Sequence, residues 1–347
     1  MDSLRGIAAI SVVMAHITLA MPSVHNYFRF GVSGVDLFFI ISGYVIYMSV
    51  EKTNKPLDFV VARIGRLYPV YWVSVFYTFI LFVGWSWISG MQQQFNIYDL
   101  FANLSMFQYY LQSKNIIATS WTLLIEMLFY ILIFILFVLK KLSKIEIVGM
   151  LFIILSFIYS LFLKKYSENT YQILKYYLPL INYFPLFFSG ILFYKINTDG
   201  HNNIFRWVLI ALCFFTQLSL FNHGGSDQEF MSLQEYVVIL LIYYFAFVLF
   251  YFNKLGFINN ILTQFLGRIS YCVYLIHLYP SGLLFAFFTK TKYFNLNPWL
   301  VIIWIVLPYI FISSYLLYKY VEMPGIKYFK RLKRNKSLDF DGSLILK

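Results

Sequence analysis

The chain has 347 residues, of which 61% are hydrophobic, 22% aromatic and only 12% charged, with a formal charge of +12. That balance excludes an ordinary soluble globular domain, and apolar stretches of about 20 residues match what a helix needs to cross a hydrocarbon core of about 30 Å. The position of the charge argues against a nucleic-acid partner: the basic residues are scattered between apolar stretches and gathered in Lys327 to Lys336, which is a positive-inside pattern.

In chain order, hydropathy predicts ten spans, at roughly 4–21, 31–50, 68–89, 119–139, 145–163, 178–196, 204–221, 234–252, 267–289 and 299–319. The first has no small-x-small cleavage site before a hydrophilic region and reads as a retained helix rather than a signal peptide. The stretch 97–112, opening Asn96-Ile97-Tyr98-Asp99, is amphipathic and lies at the interface or re-enters. The expected fold is all-α, a polytopic membrane helix bundle of about ten transmembrane helices in one domain, residues 1–325, followed by a basic cytoplasmic tail, residues 326–347. With both termini in the cytoplasm, 20 of the 27 lysines and arginines fall on the inner side. Cys213 and Cys272 lie within apolar stretches and read as packing residues; no internal repeat supports an inverted-repeat transporter.

Ionisable side chains within a membrane are costly and mark functional candidates. Arg5 and His16 lie on the first span, Asp36 near the outer start of the second, Glu126 in the fourth and His277 in the ninth. Eleven residues separate Arg5 from His16, so they share one helix face about 16 Å apart. Counting from the expected span ends places His16, Asp36, Glu126 and His277 at similar depth. Plainer roles compete with these: helix–helix hydrogen bonding for His277, a hydrated or capping role for Asp36, and a buried partner for an Arg or His in the case of Glu126. Arg63 and Arg66 fall in a cytoplasmic loop, on one face if helical, where phosphate binding competes with the positive-inside rule. His25, His201 and His223 read as solvated loop residues.

Several blocks resemble a known family in the expected order. Asp2-Ser3-Leu4-Arg5-Gly6 through Ala15-His16 forms an Arg, ten residues, His element. It is followed by Gly34-Val35-Asp36 through Ser42-Gly43, then Arg63-Ile64-Gly65-Arg66-Leu67-Tyr68-Pro69. Ser120-Trp121-Thr122-Leu123 with Glu126, Phe129 and Tyr130 comes next, then Ser270-Tyr271 with Tyr274, Leu275 and His277, and finally Tyr320-Val321-Glu322-Met323-Pro324. Together they resemble the membrane acyltransferase family 3, which includes O-antigen and other polysaccharide O-acetyltransferases. The resemblance implies a bundle of about ten helices that uses cytoplasmic acyl-CoA, with acetyl-CoA as donor substrate, and modifies a carbohydrate acceptor, lipid-linked forms included, on or beyond the outer face of a bacterial inner membrane. It gives functional weight to Arg5, His16, Arg63, Arg66 and Glu126. Some relatives append an extracytoplasmic esterase-like domain; without one, the chain is expected to complete the transfer itself or pass the group to a separate protein.

Acyl transfer to a hydroxyl needs a base, and an imidazole near neutrality suits it, so His16 is the candidate, with Glu126 or Asp36 to hold its tautomer. An acyl-histidine intermediate on His16 is the rival route. Arg63 and Arg66 suit the coenzyme A phosphates, and Arg5 the phosphates or the arm's carbonyls. No metal is expected, since HExxH and Cys/His ligand spacings are missing, as is a GxSxG serine. Two other classes remain open: a transporter or flippase using the His and carboxylates as a proton relay, and a scaffold in which they only join helices.

Overall fold

The computed structural model describes residues 1–19, 21–90, 92–199, 203–223, 229–290 and 296–331, with helices throughout and no strand among them. His201 and the C-terminal residues 332–347 lie outside the described residues. With no water to satisfy backbone groups in hydrocarbon, helices that close their own hydrogen bonds are the expected result.

From the N-terminus, α1 (Asp2–Thr18) is followed by the short α2 (Pro22–Phe28), started by Pro22, and a 3-10 turn leading into α3 (Gly34–Glu51). The 34-residue α4 (Pro56–Ser89) ends at Gly90 in the left-handed conformation, φ 68°. After α5 (Ile97–Asn103) come turns up to Ser120, then α6 (Trp121–Val138) and α7 (Ile145–Ile158). A π turn joins α7 to α8 (Lys164–Tyr166), and α9 (Glu168–Tyr177) precedes α10 (Phe184–Asp199), α11 (Ile204–Leu220) and α12 (Leu233–Tyr251). The last elements are α13 (Ile261–Ile276), α14 (Tyr279–Lys290) and the continuous α15 (Pro298–Arg331).

All ten expected spans are helical, but by length and composition six helices can cross a membrane, or seven if α13 and α14, bent by 70° at Ile276, form one broken span. Among the described residues α1 and α11, with 17 residues each, and α10, with 16, are the expected spans shorter than these. At about 1.5 Å per residue they are about 24–26 Å long, at the short end of the range that crosses a hydrocarbon core of about 30 Å. Arg63 and Arg66, expected in a loop, lie inside α4, which starts at Pro56. His25, also expected in a loop, is in α2, and His223 is buried with its ring 5.8 Å from those of Tyr159 and Tyr171.

The chain divides into two compact units. The first comprises 1–52 and 125–267, the second 53–124 and 268–347. In the first unit α10 is the central helix: every residue from Phe184 to Tyr194 is buried, as expected for a helix apolar all round. It packs on α3 through two glycines. Gly43 lies against the backbone of Phe187, and Gly190 against the backbone of Ile40, so the two helices approach as closely as small residues permit. At one end an ionic clip joins α7, α10 and α11. Arg206 donates to Glu146 at 3.0 Å, to the Lys195 carbonyl at 2.9 Å and to Asp199 at 2.8 Å, and Lys195 pairs with Glu146 at 2.6 Å.

In the second unit the segment after α4 turns back along it. The Tyr68 hydroxyl donates to the Ser105 carbonyl at 3.0 Å and Trp72 Nε1 to the Leu104 carbonyl at 2.9 Å, so 104–105 reaches the middle of α4. Asp99 and Asn103 hold this segment in shape. Asp99 accepts from the Asn96 N–H at 3.0 Å, the Ser113 hydroxyl at 2.8 Å and the Lys114 N–H at 3.2 Å, while Asn103 bridges Asp99, Lys114 and Ile116. Burial pushes the Asp99 carboxyl up, but these hydrogen bonds outweigh it and hold the group below the usual carboxylate value of 3.8.

Overpacking Gly43 or Gly190 with valine is expected to cost about 1–3 kcal/mol or more and to lower the melting temperature in detergent, whereas Gly84→Ala, with nothing within 4 Å, should be neutral or stabilising. Asp99→Ala should open the 96–116 segment to limited proteolysis at neutral pH. Because the folded carboxyl titrates below its unfolded value, the wild-type segment gains this protection above about pH 4 and loses it as the pH falls through the folded value.

Candidate functional site

Of the expected site residues, Arg5, His16, Asp36 and Glu126 belong to the first unit, and Arg63, Arg66 and His277 to the second. The sequence blocks assemble accordingly: residues 2–16, 34–43 and 126–130 in one unit, residues 63–69, 119–122, 270–277 and 322–325 in the other.

In the first unit α1 passes the start of α3. Gly34 meets Ala8 and Val12, and Gly31 meets Ser11 and Ala15, which leaves half-buried His16 at the Gly31 end. Glu126 reaches α3 elsewhere: the Ser42 hydroxyl donates to its Oε1 at 3.1 Å, and the Tyr130 hydroxyl donates to the same oxygen. From Gly34 to Ser42 is eight helical residues, so Glu126 meets α3 about 12 Å along the helix from the α1 contact at Gly34. The contacts at Gly31 and Gly34 set where α1 lies against this part of the unit.

Asp36 is 1% exposed in the first turn of α3 and accepts from the Tyr236 hydroxyl at 2.6 Å. Gln217 Nε2 donates to that hydroxyl and to the Asn182 carbonyl, each at 3.3 Å. Asp36 is two residues, about 200°, round the helix from Gly34, so it turns away from α1. It is a buried anchor among α3, α11 and α12, and neither a hydrated interfacial group nor a cap.

Arg5, 15% exposed at its side chain, is 3.9 Å from Asp2 in the first turns of α1. Beside it a pocket of about 220 Å³ is lined by Ser3, Leu4, Asn253 and Asn259, with Ser3 donating to Asn259 at 3.1 Å. At the other end of α1, the Thr18 hydroxyl is 3.3 Å from His25 Nδ1. His25 Nε2 is buried with no hydrogen-bond partner among the described residues. Sequence reading missed this second imidazole; Pro22, a helix starter three residues before it, was the signal available.

In the second unit Arg63 and Arg66 share a face of α4, with the Arg63 guanidinium 5.7 Å from the Phe59 ring centre. Gly65 and Pro69 receive Phe329 and Gly325 from the end of α15. His277 is 1% exposed at the break between α13 and α14, with Nδ1 3.1 Å from the Val273 carbonyl and 2.9 Å from that of Tyr274. Carbonyls only accept, so Nδ1 carries a proton. The Ser281 hydroxyl donates to the His277 carbonyl across the break.

Distant blocks meet here. Tyr274 and Thr122 hydroxyls are 2.6 Å apart, Thr119 donates to the Tyr274 carbonyl at 3.2 Å, and Tyr271 donates to the Leu67 carbonyl at 2.9 Å. Cys272 donates to Glu322, a carboxyl only 5% exposed, at 3.3 Å. Glu322 lies in the closing block but was not singled out, because its neighbours resemble a helix end. Among the described residues no three His, Cys, Asp or Glu side chains are grouped to hold a metal ion.

A double-mutant cycle on Asp36→Asn and Tyr236→Phe should give a coupling of about 1–3 kcal/mol in thermal unfolding, since either change alone strands a buried polar group; additive effects would remove the anchor role.

The family model described as an acyltransferase domain matches residues 1–319. A protein of Acidianus two-tailed virus bearing an acetyltransferase name is 27% identical over 289 residues, covering 81% of this chain and 82% of its own. The exopolysaccharide production protein ExoZ of Rhizobium meliloti is 29% identical over 30% of this chain and 34% of its own length. YrhL of Bacillus subtilis, named for peptidoglycan O-acetylation, is 32% identical over 38% of this chain and 22% of its own. No solved structure matched. The multi-pass helices and the match over nearly the whole chain agree: this chain belongs to the membrane acyltransferase family 3 and is an acyltransferase.

Proposed function

We propose that the protein is an O-acyltransferase of a bacterial inner membrane that moves an acyl group, acetyl in the first instance, from cytoplasmic acyl-CoA to a hydroxyl of a cell-surface carbohydrate such as lipopolysaccharide O-antigen or an exopolysaccharide. One observation carries the reading: a single helix, α1, bears Arg5 in its first turns and His16 in its last, about 16 Å away, in a chain of acyltransferase family. The cation suits the anionic donor, and the imidazole suits the reacting hydroxyl. The family match favours an enzyme over a proton-relay transporter, and the names of two relatives support carbohydrate acceptors.

In this reaction His16 takes the acceptor hydroxyl proton as the hydroxyl oxygen attacks the thioester carbon. The tetrahedral intermediate collapses, the carbon–sulfur bond breaks, and the imidazolium returns its proton to the departing thiolate, giving ester and free coenzyme A. Glu126 or Asp36 is the group proposed to hold the tautomer of His16, and His25, whose Nδ1 is 3.3 Å from the Thr18 hydroxyl two residues beyond His16, is proposed beside them. Arg63 and Arg66, on one face of α4, suit the donor's phosphates.

Purified protein supplied with acetyl-CoA and a crude envelope glycan should release CoA and label glycan. Folded His16→Ala should lose about 10²-fold to 10⁴-fold in rate, and Arg5→Ala should raise the KM for acetyl-CoA. Full activity in His16→Ala, or no consumption of several acyl donors by wild type, would contradict the assignment.

A further inference from the structure

Helical serines and threonines in this protein bond mostly to their own helix: Ser86 and Ser89 of α4 donate to the Phe82 and Trp85 carbonyls at 2.8 and 2.7 Å. Ser74 and Thr78, on the same helix, do not. Each is at most 1% exposed, and its hydroxyl has no partner among the described residues. Tyr71, with the same stripe position one turn earlier, is fully buried and its hydroxyl is also without a partner. Residues 71, 74 and 78 follow the i, i+3, i+7 spacing of one helix face, about 10 Å long.

The column continues into the returning segment. The Tyr71 hydroxyl lies beside the Gln108 and Ser120 side chains without closing a hydrogen bond to either. Gln108 Nε2 is held by Asn115 at 2.9 Å and Ser120 at 2.8 Å, which leaves its buried Oε1 as an acceptor without a partner. Three hydroxyls on one face of α4, and the Gln108 amide oxygen near one of them, are thus buried without a hydrogen-bond partner among the described residues, and none carries a charge. A helix wall made only for packing would carry apolar residues here, because in hydrocarbon an unmet hydroxyl has no water to fall back on.

The chemistry that fits is an uncharged, hydroxyl-rich group. Ser74 also floors an almost wholly apolar groove of about 360 Å³, lined by Val73, Tyr77, Ile276, Leu317 and Tyr320, whose rim is exposed at Val73 and Tyr320. Polar column and apolar groove share one residue, so a ligand with a sugar at one end and a hydrocarbon chain at the other occupies both. We infer that Tyr71, Ser74, Thr78, Gln108 and Ser120 bind the sugar ring of a lipid-linked acceptor whose chain lies in the Val73–Tyr320 groove. The acceptor role rests on the acyl-transfer reading above; the binding does not.

The test uses the full chain in nanodiscs and dodecyl β-glucoside carrying a diazirine in its alkyl chain. Photolabelling should fall within Val73–Tyr77 or Leu316–Val321, and exceed that of the dodecyl alcohol analogue. Ser74→Ala with Thr78→Val, and separately Gln108→Leu, should reduce labelling about fivefold or more. The melting temperature of the Ser74→Ala, Thr78→Val protein should stay level or rise, because both changes remove a buried hydroxyl with no partner among the described residues, whereas Gln108→Leu also breaks the bonds to Asn115 and Ser120 and should lower it. Labelling insensitive to the substitutions, or equal with the alcohol probe, would overturn the sugar subsite, as would a change confined to the KM for acetyl-CoA. Should either variant fold poorly, Tyr71→Phe, which removes only the hydroxyl, decides in its place. CoA release measured on the same wild-type sample separates failure of this inference from failure of the acyl-transfer reading.

Discussion

A membrane interior offers no water to complete a hydrogen bond, and that one constraint organises this protein. It forces the backbone into helices, and it turns each polar side chain within them into a group that must find a partner or serve a ligand. The partners found are specific. Asp36 takes the Tyr236 hydroxyl, Glu126 takes Ser42 and Tyr130, and His277 is fixed by carbonyls of its own helix where α13 breaks.

These pairings sort residues that look alike in sequence. Asp36 and Glu126 are both acids within apolar stretches, yet the first is built into a four-residue network facing away from α1, while the second lies against the Ser42-Gly43 block. Gly43 itself is where α3 and α10 come into backbone contact, so the polar pair at Ser42 sits next to the close crossing of these two helices. In the second unit the returning 96–120 segment plays the equivalent part: Asp99 and Asn103 shape it, and it carries Gln108 and Ser120 to the middle of α4.

Helix identity and the candidate residues were legible from hydropathy and motif order, because apolar runs and isolated ionisable groups are local signals. Less legible were lengths and partners. Span counting could not distinguish α10, enclosed by protein along most of its length, from a helix facing lipid, since both are uniformly apolar. His25 and His223 looked solvated because short helices and buried turns leave little trace in hydropathy. The packing of α1 on Gly31 and Gly34 is a tertiary contact no periodicity reports. The stripe of Tyr71, Ser74 and Thr78 was present in the sequence, but only the lack of a hydrogen-bond partner for its buried hydroxyls among the described residues distinguishes it from ordinary membrane serines and threonines.

The central claim is that α1 carries acyl transfer through His16. Proteoliposomes with radiolabelled acetyl-CoA trapped inside and envelope glycan outside test it most directly, with the orientation of the protein checked by protease. The account predicts label on external glycan with wild type and none above background with folded His16→Gln; equal labelling by both, or none by wild type with any donor enclosed, would contradict it.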